Sequence, residues 1–327
     1  AYGVPVLAPL FGGDPTFIDL SNRYAGMSLA HPFGTDELGR DVFLRLMYGG
    51  RISLTVGLIS AVAAAVIGTT IGVIAGYFGG LVDAVLMRFT DAMLSVPVLP
   101  LMIVFAALDL QKIASHGGTW AAVGVICGML FMLVSAGIFF ADRRAGMTAI
   151  YGTGILAALG FGLPLSGLLL GLQSDTLGSG TMVSVVQLII IVVFFSWMTV
   201  ARLVRAAALQ IKELDFVAAS QAFGAPHKHV IIQHIIPNSM APIIVAATLE
   251  VGGVILYESV LSFLGLGVKP PTASWGNMLR NALDYLQDSP LLAFWPGLFI
   301  LIAVVCFNFF GDGLRDALDP HHVNKSD

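Results

Sequence analysis

Apolar residues in this chain neither alternate with polar ones nor stay on one helical face over most of its length; they come in long unbroken runs divided by short polar connections. Seven stretches have this character, at about 52–78, 92–110, 120–141, 148–172, 182–204, 241–266 and 291–311. A bilayer core about 30 Å thick is crossed by ~20 apolar helical residues, because hydrocarbon offers no partner to a bare backbone N–H or C=O. The pattern predicts an all-α, polytopic membrane protein. Strands of a membrane barrel would read as alternating segments of about ten residues, and the runs exclude that reading. The first run, "ISLTVGLISAVAAAVIGTTIGVIAGYF", carries no charge, and its Gly57, Gly68, Gly72 and Gly76 form a small-residue stripe along which another helix can approach closely.

Composition agrees with the pattern. Of 327 residues 57% are hydrophobic and 11% charged, with a mean hydropathy of +0.89, whereas a soluble domain carries roughly a quarter of its residues charged. The net charge of −4 is spread over short loops and gives no argument for nucleic-acid binding. Cys127 and Cys306 fall inside apolar runs without CxxC or Cys/His spacing, so they read as small packing residues rather than a disulfide or metal framework. The opening "AYGVPVLAPLFGG" reads as the tail of an apolar segment whose earlier part is expected to be missing.

Orientation follows from Lys and Arg in alternate connections. Arg88, Arg143, Arg144, Arg202, Arg205, Lys212, Lys228, Arg315 and Lys325 fall on one side, assigned to the cytoplasm. Arg23, Arg40, Arg45, Arg51, Lys112, Lys269 and Arg280 fall on the other, so the margin is nine to seven. Residues 1–50 then lie outside or along the interface; Leu38, Val42, Leu46 and Met47 recur at helical spacing beside Arg40 and Arg45, as in an amphipathic surface helix.

The longest cytoplasmic connection, 205–240, contains "FGAPHKHVIIQHIIPN". Phe216, Ala219 and Phe223 mark one face of a short helix, Gly224-Ala225-Pro226 breaks it, and Val230, Ile231, His234 and Ile235 mark a second face before Pro237. Gly224 suits the left-handed position after a helix end, and Pro226 can open the next helix without losing a needed donor. The apolar faces pack either on this protein's own spans or in a partner's groove.

"HPFGTDELGRDVF", "FGAPHKHVIIQHIIPN", "LSFLGLGVKPPTASWGNML" and "FNFFGDGLRDALDP" together resemble the permease subunits of ABC importers for dipeptides, oligopeptides and nickel, specifically the second permease of such systems. The likeness covers about 30–110 and 182–320. It implies a type I importer transmembrane domain in a bacterial inner membrane, with residues 51–110 and 182–320 as its body. It also implies a second related permease, one or two ABC ATPase subunits holding ATP and Mg, and a periplasmic or lipid-anchored binding protein. In that family the cytoplasmic loop holds the helix that couples to the ATPase; the matching positions are Ala218, Ala219 and Ser220, then Gly224, His234 and Pro237, with Asp215, Phe216 and Phe223 on the same helix pair. The family's usual Glu is replaced by Ala218, and Asp215, three residues earlier, is the candidate for the acidic contact. Residues 111–181 depart from the family by carrying an inserted pair of spans joined by "ADRRAGMT", with a broken or re-entrant helix around Pro164 as the alternative.

No GxxxxGK[ST], HExxH or GxSxG motif offers ATP hydrolysis or other catalysis. Glu250 and Glu258 are the intramembrane carboxylates, and such groups face a bundle interior or water. Eight residues apart, about 80° around a helix, both can face one translocation path; the alternative for each is a structural hydrogen bond. His227 and His229 stand on different sides of any helix, which argues against metal ligation with His234. His321 and His322 read as solvated tail, and Trp275 as an interfacial residue after the external turn 264–271. The leading function is a peptide-importer permease that forms half of the path. An ion-coupled carrier using Glu250 and a purely structural membrane subunit are the alternatives.

Overall fold

A computed structural model describes residues 14–107 and 180–318. The expected spans 120–141 and 148–172, and with them the whole 111–179 part of the insertion, lie outside the described residues.

Residue Asp41 opens the first α-helix among the described residues, α1 (Val42–Phe78), by accepting the Leu44 N–H at 2.8 Å. With 37 residues α1 is about 55 Å long, so its ends project beyond a hydrocarbon core about 30 Å thick. The helix therefore begins ten residues before the apolar run at 52. The amphipathic surface helix expected around 31–50 is corrected accordingly: Val42, Leu46 and Arg45 are buried in the first turns of α1, and Leu38 lies before them in a turn. Residues 14–41 fold back over this end, with Thr35 bridging to Asp41 and His31 Nδ1 2.7 Å from the Asp41 carboxylate.

The expected span 92–110 is broken. Helix α2 (Gly80–Ser95) and helix α3 (Val98–Ala107) meet at 82°. Pro97 explains the break, because a residue before proline is pushed out of the helical region, and Val96 takes φ −87°, ψ 136°. Helix α4 (Gly180–Ile211), helix α8 (Met240–Phe263) and helix α10 (Leu291–Leu318) complete the long spans among the described residues. Between α4 and α8 lie α5 (Asp215–Ala222), α6 (His227–Val230), a π turn (Ile231–Ile235) and α7 (Ile236–Asn238). The short α9 (Trp275–Ala282) lies between α8 and α10.

The glycine stripe of α1 packs on α4 of the same chain. A Cβ at Gly68 would stand 2.6 Å from the Trp197 carbonyl oxygen, and one at Gly72 2.5 Å from that of Ala201. Both are backbone contacts, so the two helices touch with nothing between them. Helix α8 covers the other side of α1, with Ile255 against Gly57. Of the most apolar stretch of α4, 61% is buried, against 11% in α10. Helix α4 is thus central and α10 peripheral.

Candidate functional site

The connection between α4 and α8 is built from a few local rules. Asp215 in the first turn of α5 places a negative charge where the helix dipole favours it. The helix closes in a Schellman arrangement: Gly224 N–H donates to Gln221 O at 2.9 Å and Ala225 N–H to Ser220 O at 3.1 Å, with Gly224 at φ +78°. Pro226 then caps α6. Pro237 has no N–H to return to Gln233, and the chain widens into the π turn just before it.

Three aliphatic side chains hold this helix pair down. Val217, Val230 and Ile235 are fully buried against Val73 and Tyr77 of α1, Val200, Val204, Ala208 and Ile211 of α4, and Ile243 of α8. The Tyr77 hydroxyl lies 2.8 Å from His227 Nδ1, tying α6 to the end of α1. The chain's own spans therefore take the second face, Val230 and Ile235. The first face points the other way: Phe223 is 92% exposed and Phe216 42%. Asp215, Ala218, Ala219, Gly224 and Pro237 are exposed too, Ser220 is half-buried, and the His234 ring lies 5.7 Å from that of Phe216. Sequence reasoning missed Val217 and Tyr77 as anchors. Val217 was hidden because α5 has eight residues, too few turns for a period to emerge.

The two carboxylates are not brought together. Glu258 is fully enclosed and accepts from Ser53 of α1 and Ser262 of α8, each at 2.7 Å. Ser262 Oγ in turn accepts the Val268 N–H at 3.1 Å, and Ser53 Oγ faces the Trp275 N–H at 3.4 Å. This serine cage ties α1, α8, the 264–274 turn and α9 together around a Glu258 side chain that is 0% exposed. Trp275 is part of the same joint: it is buried over Gly50, and its indole donates to Leu46 O at 2.9 Å, which corrects the interfacial placement. Glu250, two turns nearer the α5 side, is partly exposed. Among the described residues no group of three or more His, Cys, Asp or Glu is placed to hold a metal ion, and His227 is turned to Tyr77 instead.

Residues 68–323 match the family described as binding-protein-dependent transport system inner membrane component. The chain is 34% identical over 300 residues to a dipeptide transport system permease protein of Alkalihalophilus pseudofirmus, covering 92% of this chain and 75% of the relative. It is similar to oligopeptide transport system permease proteins of Haemophilus influenzae, 34% identical with 89% and 70% covered, and of Bacillus subtilis, 33% identical with 96% and 80% covered. These matches favour a permease over an ion-coupled carrier. Membership implies ATPase and substrate-binding partners and a multi-pass place in the inner membrane, in keeping with four helices among the described residues that are long and apolar enough to cross, or five if the bent pair α2–α3 is one span. The chain, matched over most of its length, thus belongs to the family of binding-protein-dependent transport system inner membrane components.

Proposed function

We propose that this chain is one permease of an ATP-driven importer of peptides, paired with a second, related permease, coupled to separate ATPase subunits and supplied by an external binding protein. The peptide substrate class is supported by the names of its relatives, which are dipeptide and oligopeptide permeases. This chain contributes the path and the mechanical joint, and nucleotide chemistry belongs to its partners. The observation that carries the reading is the Phe223–Gly224 corner: a ring 92% exposed at the tip of a helix pair with three fully buried anchors. A large aromatic held rigidly in water is what a partner's groove receives. Asp215, exposed in the first turn of α5, takes the acidic contact that Ala218 cannot make. Glu250, partly exposed in α8, lines the path.

The test is Phe223→Ser in the assembled importer in nanodiscs. The expected result is at least a tenfold fall in substrate-stimulated ATP hydrolysis, with reduced ATPase retention and the permease pair still assembled. Full retention and stimulation would overturn the reading. For Asp215, a double-mutant cycle against basic residues of the ATPase is expected to give a coupling of about 0.5–1 kcal/mol; zero coupling removes it from the contact.

A further inference from the structure

Helix α2 is held differently from the spans around it. Helices α1 and α4 meet through backbone at Gly68 and Gly72, whereas of the sixteen residues of α2 Met87, Thr90 and Met93 alone are buried. Methionine side chains are flexible and re-pack at low cost. The Phe89 ring lies nearly parallel to that of Trp197 of α4, with 6.2 Å between centroids, a flat contact that does not interlock. Two ion pairs tie α2 down instead. Arg205 Nε and Nη2 of α4 donate to the two carboxylate oxygens of Asp83, a bidentate and half-buried pair, and Arg202 Nη2 stands 3.3 Å from Asp91 Oδ1 in the open. Both ends of the helix are joints. Gly79 and Gly80 take φ +65° and +53°, a region that other side chains avoid, and a Cβ at Gly80 would meet nothing within 4 Å among the described residues. At the other end Val96 leaves the helical region before Pro97, and α3 departs at 82°.

The glycine joint lies against the helix pair that follows α4. Tyr77, two residues before Gly79, shares a hydrogen bond with His227 of α6, and the Phe78 ring lies 5.8 Å from the same imidazole. Lys212, just beyond the end of α4, has its Nζ 3.5 Å from where a Cβ at Gly79 would stand. We infer that α2 is a hinged strap that swings away from α4 when α6 is pushed, and that the Asp83–Arg205 pair is the latch that holds it shut until then. The foot of α1 is itself braced on α4, where a Cβ at Gly76 would stand 2.8 Å from the Arg205 carbonyl oxygen. Displacement at His227 is therefore taken up at the two glycines, which have no side chain to resist it. A bidentate pair at the edge of water suits a latch, because its strength is modest and water can solvate both partners when they separate. This holds only if the chain is the importer permease proposed above, since α6 must have an ATPase to push it.

The experiment uses the complete importer in sealed vesicles, supplied with ATP and with peptide-loaded binding protein. Asp83→Asn and Arg205→Gln each release the latch and are expected to raise ATP hydrolysis in the absence of binding protein about threefold, the scale on which a partly exposed ion pair shifts an equilibrium. The exchange of Asp83→Arg with Arg205→Asp restores the pair and is expected to bring hydrolysis back toward the wild-type rate, which repair of a packing defect would not do. Locking the strap is the second arm. In a chain with Cys127 and Cys306 replaced by serine, Asp83→Cys and Arg205→Cys are joined by a bifunctional methanethiosulfonate; import is expected to stop, and to return when the reagent is reduced. Unchanged basal hydrolysis in both single variants, or import by the crosslinked complex at the rate of the unreacted one, overturns the latch. A wild-type complex that retains no ATPase removes the importer reading and the latch with it, whereas a wild type that imports while its crosslinked form imports equally removes the latch alone.

Discussion

Gly72 shows how little room single positions leave. A methyl group there would sit 2.5 Å from the Ala201 carbonyl oxygen and 2.9 Å from the Arg205 nitrogen, both backbone atoms that cannot rotate away. Gly72→Ala is expected to cost about 1–3 kcal/mol, read as a lower melting temperature in detergent. Gly253→Ala, with nothing within 4 Å of the added carbon, is the neutral control. Glu258 poses the opposite problem, since its removal empties a cage rather than crowding one. Glu258→Ala leaves the Ser53 and Ser262 hydroxyls buried without their acceptor, at about 1–3 kcal/mol for each group. Glu258→Gln keeps an acceptor oxygen and is expected to lose less in the same melt. Glu250 is expected to behave differently: Glu250→Gln should slow import of cationic peptides more than of neutral ones, with little change in melting temperature. Equal rates for both peptide classes would remove Glu250 from the path.

At the scale of elements, the corner after α5 depends on one backbone angle. Gly224 sits at φ +78°, and a Cβ added there would find nothing within 4 Å, so Gly224→Val meets no clash and acts through conformation alone, at about 1–2 kcal/mol. The expected readout is loss of substrate-stimulated ATP hydrolysis with the spans intact, measured beside Tyr77→Phe, which removes the His227 contact and should give a milder loss. The Gly-Ala-Pro break and the glycine stripe of α1 were legible in the sequence because each rests on a local steric rule. Elements whose form depends on distant partners were not. The start of α1 was misplaced because Arg45 is polar in sequence and buried in the fold. Trp275 read as interfacial because nothing local announces that Gly50 and the Leu46 carbonyl are waiting for its indole. In the 92–110 span Pro97 was visible, but the apolar run on both sides of it masked the 82° bend. Of the proposed coupling surface, the turn could be read directly; the anchors beneath it could not, because Val217 lies on an eight-residue helix and Tyr77 meets His227 across 150 positions.

Across the whole molecule, burial falls from α4 to α10, and the outward faces of α10, with Leu301, Ile302, Phe309 and Phe310 exposed, are left for lipid or a neighbouring chain. Between α1 and α4 the contact at Gly68 and Gly72 is with backbone, which leaves little room between the two helices. Arg45 and Tyr77 stand on this same α1, about 48 Å apart along its axis, and the helix between them has no proline to flex at. Gripped along its middle by α4 and α8, such a shaft is expected to act as a lever with its fulcrum between its ends. Sideways force on the tip beside Tyr77 is then expected to reappear, reversed in direction, at the tip beside Arg45.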